Sequence, residues 1–159
     1  MNKEAVFNEI IAAIAAQVES YTRAAKSAFS AATDPGSRAE NKYDTRSLEA
    51  SYLARGQAMR VAETEEALVA FKAIGYRPFA PDQAIALGAL VSVRGGDGEG
   101  WYFIGPSSGG TEVQVQGHDV LVITPSSPVG QLLNGRKAGD QVSMPGDRPG
   151  QKSKIESVA

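Results

Sequence analysis

The chain contains no cysteine and only one histidine, His118. The first absence excludes disulfide frameworks, thiolate zinc sites and cysteine nucleophiles. The second leaves a lone imidazole in a Gly-His-Asp turn, a poor basis for a His-based metal site or a Ser-His-Asp triad. Aromatic residues are scarce at 7%. The apolar stretch from Phe7 to Val18 is interrupted by Asn8, Glu9 and Gln17, and it carries neither a basic leader nor a cleavage-site pattern. It reads as amphipathic, so no membrane partner is expected and the expected location is the cytoplasm. Neither sign of charge dominates: the formal net charge is -2, without the basic footprint of a protein that grips duplex DNA on its own. Any nucleic-acid contact is expected to be local or assisted by a partner.

What is present divides into two periodicities. From Phe7 the apolar residues Phe7, Ile11, Ile14, Val18, Tyr21, Ala25 and Ala28 are spaced alternately by four and three, the period of a coiled-coil seam, and Ile10 widens it. Alanines fill the intervening positions, and no Gly or Pro occurs before Asp34-Pro35-Gly36, which places the end of a first helix near Thr33. A second helix is expected from about Asp44, a candidate N-cap, to Ile74 before Gly75. Its seam, Ala50, Ala54, Gln57, Val61, Thr64, Leu68 and Phe71, is looser, with Leu48, Tyr52 and Met59 beside it. Two antiparallel helices of roughly thirty residues, at about 1.5 Å per residue, make a rod about 45 Å long, with a tip at 34–46.

After a linker at 76–83, short runs with β character follow: Ala89 to Val93, Trp101 to Ile104, Glu112 to Val115, Val120 to Thr124, Gln141 to Met144 and Lys154 to Val158. Gly95 to Gly98 is expected to join the first two as a hairpin, and Ser107 to Gly110 the next pair. The Gly-rich run has no helix start with Lys-Ser/Thr behind it, so a phosphate loop is not indicated. One short helix is expected from Pro128 to Leu133, capped by Ser127. The expected class is α+β: a helical hairpin over 1–75, then a small, mainly antiparallel β domain with one short helix over 84–159.

The stretch from Ser127 to Asp140 reads Ser-Pro-Val-Gly-Gln-Leu-Leu-Asn-Gly-Arg-Lys-Ala-Gly-Asp. With Asp44 and the run Glu49-Ala50-Ser51-Tyr52-Leu53-Ala54-Arg55, it resembles the Gre family of bacterial RNA polymerase secondary-channel factors, over most of the chain. The resemblance implies an FKBP-like second domain and a partner, RNA polymerase, whose secondary channel receives the hairpin while the β domain holds the channel rim. Ser127, Pro128, Val129, Gly135, Gly139 and Asp140 would be the docking signature. It further implies that the chain is no enzyme and has no cofactor of its own. Acidic tip residues would help hold Mg2+ at the polymerase active site while water attacks a backtracked transcript, chemistry that needs hard oxygen ligands. A monomer is expected.

One departure bears on mechanism. The family's tip has Asp followed three residues later by Glu, and here Asp44 is followed by Ser47. Asp44 remains the expected metal ligand, only in complex with polymerase, and Glu40 or Glu49 would supply the second carboxylate, with Asp34 more distant. Asp44 also reads simply as a helix cap, worth about 1 kcal/mol. Glu40 and Glu49 read equally as solvated charges beside Lys42 and Arg46. Arg38, Lys42, Arg46, Arg55 and Arg60 suit an RNA backbone or polymerase, or form an ordinary exposed helix face. Without an intact acidic pair, the chain would occupy the channel without stimulating cleavage. An FKBP-like domain also raises peptidyl-prolyl isomerase activity, although Trp101, Tyr102 and Phe103 on one strand are poor material for an aromatic-lined pocket.

Overall fold

The computed structural model describes residues 1–37, 45–80, 82–96 and 98–159. They form two compact units, one made of residues 14–68 and the other of residues 1–13 and 69–159. Helix α1 spans Lys3–Thr33 and α2 spans Arg46–Ile74, with a short 3-10 turn at Pro35–Ser37. Asn2 caps α1, its Oδ1 accepting from the Ala5 N–H at 3.2 Å. Asp34-Pro35 ends the helix, because the residue before a proline is driven out of the α region. At the other end of the hairpin, Gly75 adopts φ +58 and donates its N–H to the Phe71 carbonyl at 3.3 Å, a left-handed helix stop.

The α2 start corrects one expectation. The Thr45 carbonyl accepts the first helical bond, from the Glu49 N–H at 2.9 Å, so Thr45 and not Asp44 occupies the cap position. Asp44 lies outside the described residues.

In the unit of residues 14–68 the two helices run antiparallel. The Arg60 guanidinium lies 5.7 Å from the Tyr21 ring, and further along, Ala25, Phe29 and Thr33 share a groove with Ala58, Ala54 and Ser51. The loose α2 seam is real: Ala50, Ala54, Gln57, Val61, Thr64 and Leu68 are all partly buried and Phe71 fully, while Leu48, Tyr52 and Met59 are exposed.

The other unit is built on a six-stranded sheet ordered β3-β4-β2-β1-β6-β5. Its strands are β1 Leu90–Gly95, β2 Gly98–Ile104, β3 Glu112–Val115, β4 His118–Ile123, β5 Gln141–Val142 and β6 Ser153–Val158; α3, Pro128–Leu133, falls between β4 and β5. β1 and β2 form the expected hairpin, with Leu90 opposite Phe103. β2 does not pair with β3. Instead β3 turns into β4 through Gln116 and Gly117, both at positive φ (53 and 81), which matches the right-handed twist of a tight hairpin. β4 then lies parallel to β2, with Phe103 opposite Val122, so the sheet is mixed.

Strand alternation gives the sheet two apolar faces. On one, Phe103 packs against Phe7 of α1 and Phe71 of α2, with ring centroids 6.1 and 6.2 Å apart. On the other, Val91, Val93, Ile104, Ile123 and Ile155 cluster with Leu133 of α3. Each such side chain, once buried, contributes about 1.5–3 kcal/mol.

Candidate functional site

Of the residues singled out at the tip, Arg38, Glu40, Lys42 and Asp44 lie outside the described residues. Glu49 stands in the first turn of α2, exposed, and its Oε1 accepts a hydrogen bond from Thr45 Oγ1 at 2.8 Å. That pairing, together with the dipole of the helix start, already satisfies the Glu49 carboxylate locally. Ser47 belongs to the same turn, and its carbonyl accepts from Ser51 Oγ at 2.8 Å. Asp34 Oδ1 accepts from the Gly36 N–H at 2.8 Å and shapes the turn after α1. Among the described residues, no group of three or more His, Asp or Glu side chains is placed to hold a metal ion.

The basic candidates fall in different surroundings. Arg46 opens α2 and Arg55 follows two and a half turns later, both exposed. Arg60 is drawn onto Tyr21, a contact that fixes its side chain along the helix pair.

The signature from Ser127 to Asp140 is present as a folded motif, and its residues do structural work. Ser127 Oγ accepts from the Gly130 N–H at 3.0 Å and donates to the Thr124 carbonyl at 2.8 Å, and Pro128 stands at the first turn. Gly130 lies so close to the Thr124 carbonyl that a Cβ would collide with it. Val129 packs on the core that holds Leu133. Gly135, at φ +79, donates to the Ile85 carbonyl at 2.8 Å, and Gly139, at φ +94, to that of Ile155 at 2.8 Å. Asp140 Oδ2 accepts from the Lys137 N–H at 2.9 Å. Among the side chains this framework leaves to solvent are Arg136 and Lys137, the basic pair of the signature. The clue is their type: two cations between Gly135 and Gly139, with only the small Ala138 beside them.

His118 is exposed at the start of β4, its ring 5.9 Å from that of Trp101, and among the described residues it belongs to no metal-holding group. Trp101, Tyr102 and Phe103 do not line a common pocket: Phe103 is buried between Phe7 and Phe71, while Tyr102 packs on the opposite apolar cluster.

One buried cation was not anticipated. Lys3 is only 6% exposed, donates to the Arg77 carbonyl at 2.6 Å and lies 4.3 Å from the Phe79 ring. Burial, reinforced by the nearby Arg77 guanidinium, lowers its pKa to about 8. The Asp147 pKa is lowered too, here in favour of the charged form: hydrogen bonds from the Met144 N–H (2.7 Å) and Ser153 Oγ (2.8 Å) hold it below the usual range and tie the 144–153 loop together. Among the described residues, no helix is long and apolar enough to cross a membrane.

No family model and no curated protein sequence matches the chain. Among solved structures it is similar to the transcription factor Gfh1, at 16% identity over 93% of this chain and 92% of that one, with a TM-score of 0.37. It is also similar to GreA factor homolog 1 (Gfh1) of Thermus thermophilus, at 19% identity over 94% and 92% of the two chains, TM-score 0.34. A third structure, Gfh1 of Thermus aquaticus, matches at 16% identity over 91% and 90%, TM-score 0.38. At this identity and these TM-scores, the similarities decide neither activity nor partner.

Proposed function

We propose that this chain is a Gre-type factor that binds bacterial RNA polymerase and sets its hairpin in the secondary channel, modulating elongation. The observation that carries the reading is one combination: antiparallel helices of 31 and 29 residues with Asp34, Glu40 and Asp44 between them in sequence, followed in the chain by a sheet domain with the complete Ser127 to Asp140 motif. Asp44, with Glu40, acts on a weakly held Mg2+ of the polymerase and so stimulates cleavage of a backtracked transcript. Arg46 and Arg55, with Arg38 and Lys42, meet the RNA backbone or the channel wall. Arg136 and Lys137 meet the channel rim, on a turn that Ser127, Gly135, Gly139 and Asp140 hold in shape. The polymerase performs the chemistry; the factor works in the cytoplasm as a monomer.

A second reading, occupancy of the channel without cleavage, is favoured by Ser47 in place of the family's Glu and by the local pairing of Glu49 with Thr45. Transcript cleavage by stalled, backtracked polymerase at limiting magnesium separates the two. The first reading expects stimulation that Asp44→Ala abolishes and Glu40→Ala weakens. Binding without stimulation selects the second. An absence of binding to polymerase contradicts both.

A further inference from the structure

Among the described residues, five of the eight large apolar side chains that stand exposed fall between positions 29 and 59: Phe29, Leu48, Tyr52, Leu53 and Met59. Phe29 stands beside the α1 seam, one residue past the buried Ala28, and is 62% exposed. Beside it α2 offers Ser51, Ala54, Arg55 and Ala58, and the helices leave a groove of about 790 Å³.

The groove's chemistry is specific. Its floor is Ala25, Phe29, Ala32, Ala54 and Ala58, small apart from the phenylalanine, so another helix can approach closely. Two of the three hydroxyls beside it are already used, Thr33 Oγ1 on the Phe29 carbonyl at 3.0 Å and Ser51 Oγ on the Ser47 carbonyl at 2.8 Å. Lys26 and Arg55 flank the floor, no acidic residue lines it, and neither cation has an ion-pair partner among the described residues.

We propose that this groove docks an amphipathic helix of a partner protein, its apolar ridge lying on Phe29 and the alanines and its carboxylates reaching Lys26 and Arg55. A second copy of the chain fits worse. The described residues between 22 and 60 carry Arg23, Lys26, Arg46, Arg55 and Arg60 against Asp34 and Glu49, so two such faces would bring like charge together. The proposal does not rest on polymerase being the partner.

The test uses the full chain and two labelled helical peptides with the same Leu/Ala face, one bordered by Glu and the other by Lys, followed by fluorescence anisotropy. The expected result is saturable binding of the Glu-bordered peptide, about tenfold or more tighter than the other and weakened by salt. Lys26→Glu with Arg55→Glu reverses the preference, a change that loss of folding cannot produce. Ala58→Trp, which fills the groove, weakens the Glu-bordered peptide while circular dichroism confirms an intact helix content. Lys72→Glu, outside the groove, leaves the preference unchanged. No saturable binding, equal binding of both peptides, or a preference indifferent to the charge swap overturns the proposal. So does a concentration-dependent dimer abolished by Ala58→Trp, which would assign the groove to a second copy.

Discussion

The unit of residues 1–13 and 69–159 and the unit of residues 14–68 are stabilised in different ways. The first interleaves strands with large side chains on both faces of a sheet, and Phe71, Phe103, Ile104, Leu133 and Ile155 are all essentially inaccessible to water. The second pairs two helices largely through alanines and half-buried residues, with Ile14, Ala28 and Ala67 its buried apolar side chains among the described residues. A sheet core of this kind resists change because interiors are close-packed. A thin helix pair keeps little stability to lose, and its exposed apolar groups are available to a partner.

This contrast makes graded predictions. The largest effect is expected for Phe103→Ala, which removes the ring that Phe7 and Phe71 share and should cost about 3–5 kcal/mol in denaturant unfolding. A much smaller loss would mean that the aromatic cluster is not the anchor of the first unit. Next comes Lys3. Its folded pKa, about 8, lies below the ordinary 10.5, so the unfolded chain binds more protons between those values. Stability should therefore rise as pH goes from about 8 to 10.5 and stay level below it, and Lys3→Met should flatten the profile. A profile unchanged by Lys3→Met would contradict burial of the ammonium.

Ser127→Ala should cost about 1 kcal/mol through the lost α3 cap, and Gly130→Ala more, since the Thr124 carbonyl has to move. At the bottom of the scale, Tyr52→Ala and Met59→Ala should each change stability by less than about 0.5 kcal/mol, because both side chains face solvent. A loss of folding from either would show that the second unit depends on that face.

The legible parts of this molecule were those with a local signal. The alternation from Phe7 to Ala28 located the α1 seam, Ser127-Pro128 located α3, and the Gly95 to Gly98 turn located a hairpin, each because the relevant interaction lies within a few residues. The parallel pairing of β2 with β4 was not legible, because it depends on a strand being bypassed, and the Ser107 to Gly110 turn resembles a hairpin connection in isolation. The cap at Thr45 was expected at its neighbour Asp44 because both residue types cap helices and Asp is the more favoured of the two. The burial of Lys3 had no sequence mark, since its partners Arg77 and Phe79 are more than seventy residues away. The groove beside Phe29 was likewise hidden: periodicity reports which positions face the partner helix, not whether the opposing side chains have enough volume to meet them.

The proposal that the hairpin enters the polymerase secondary channel is tested most directly by position. Because the chain has no cysteine, Ser47→Cys carries a single photocrosslinker at the start of α2, three residues after Asp44 in sequence. Irradiated with stalled polymerase, it should form adducts with peptides that line the channel next to the active site. Adducts confined to the outer surface of a polymerase that demonstrably binds the chain would contradict the account.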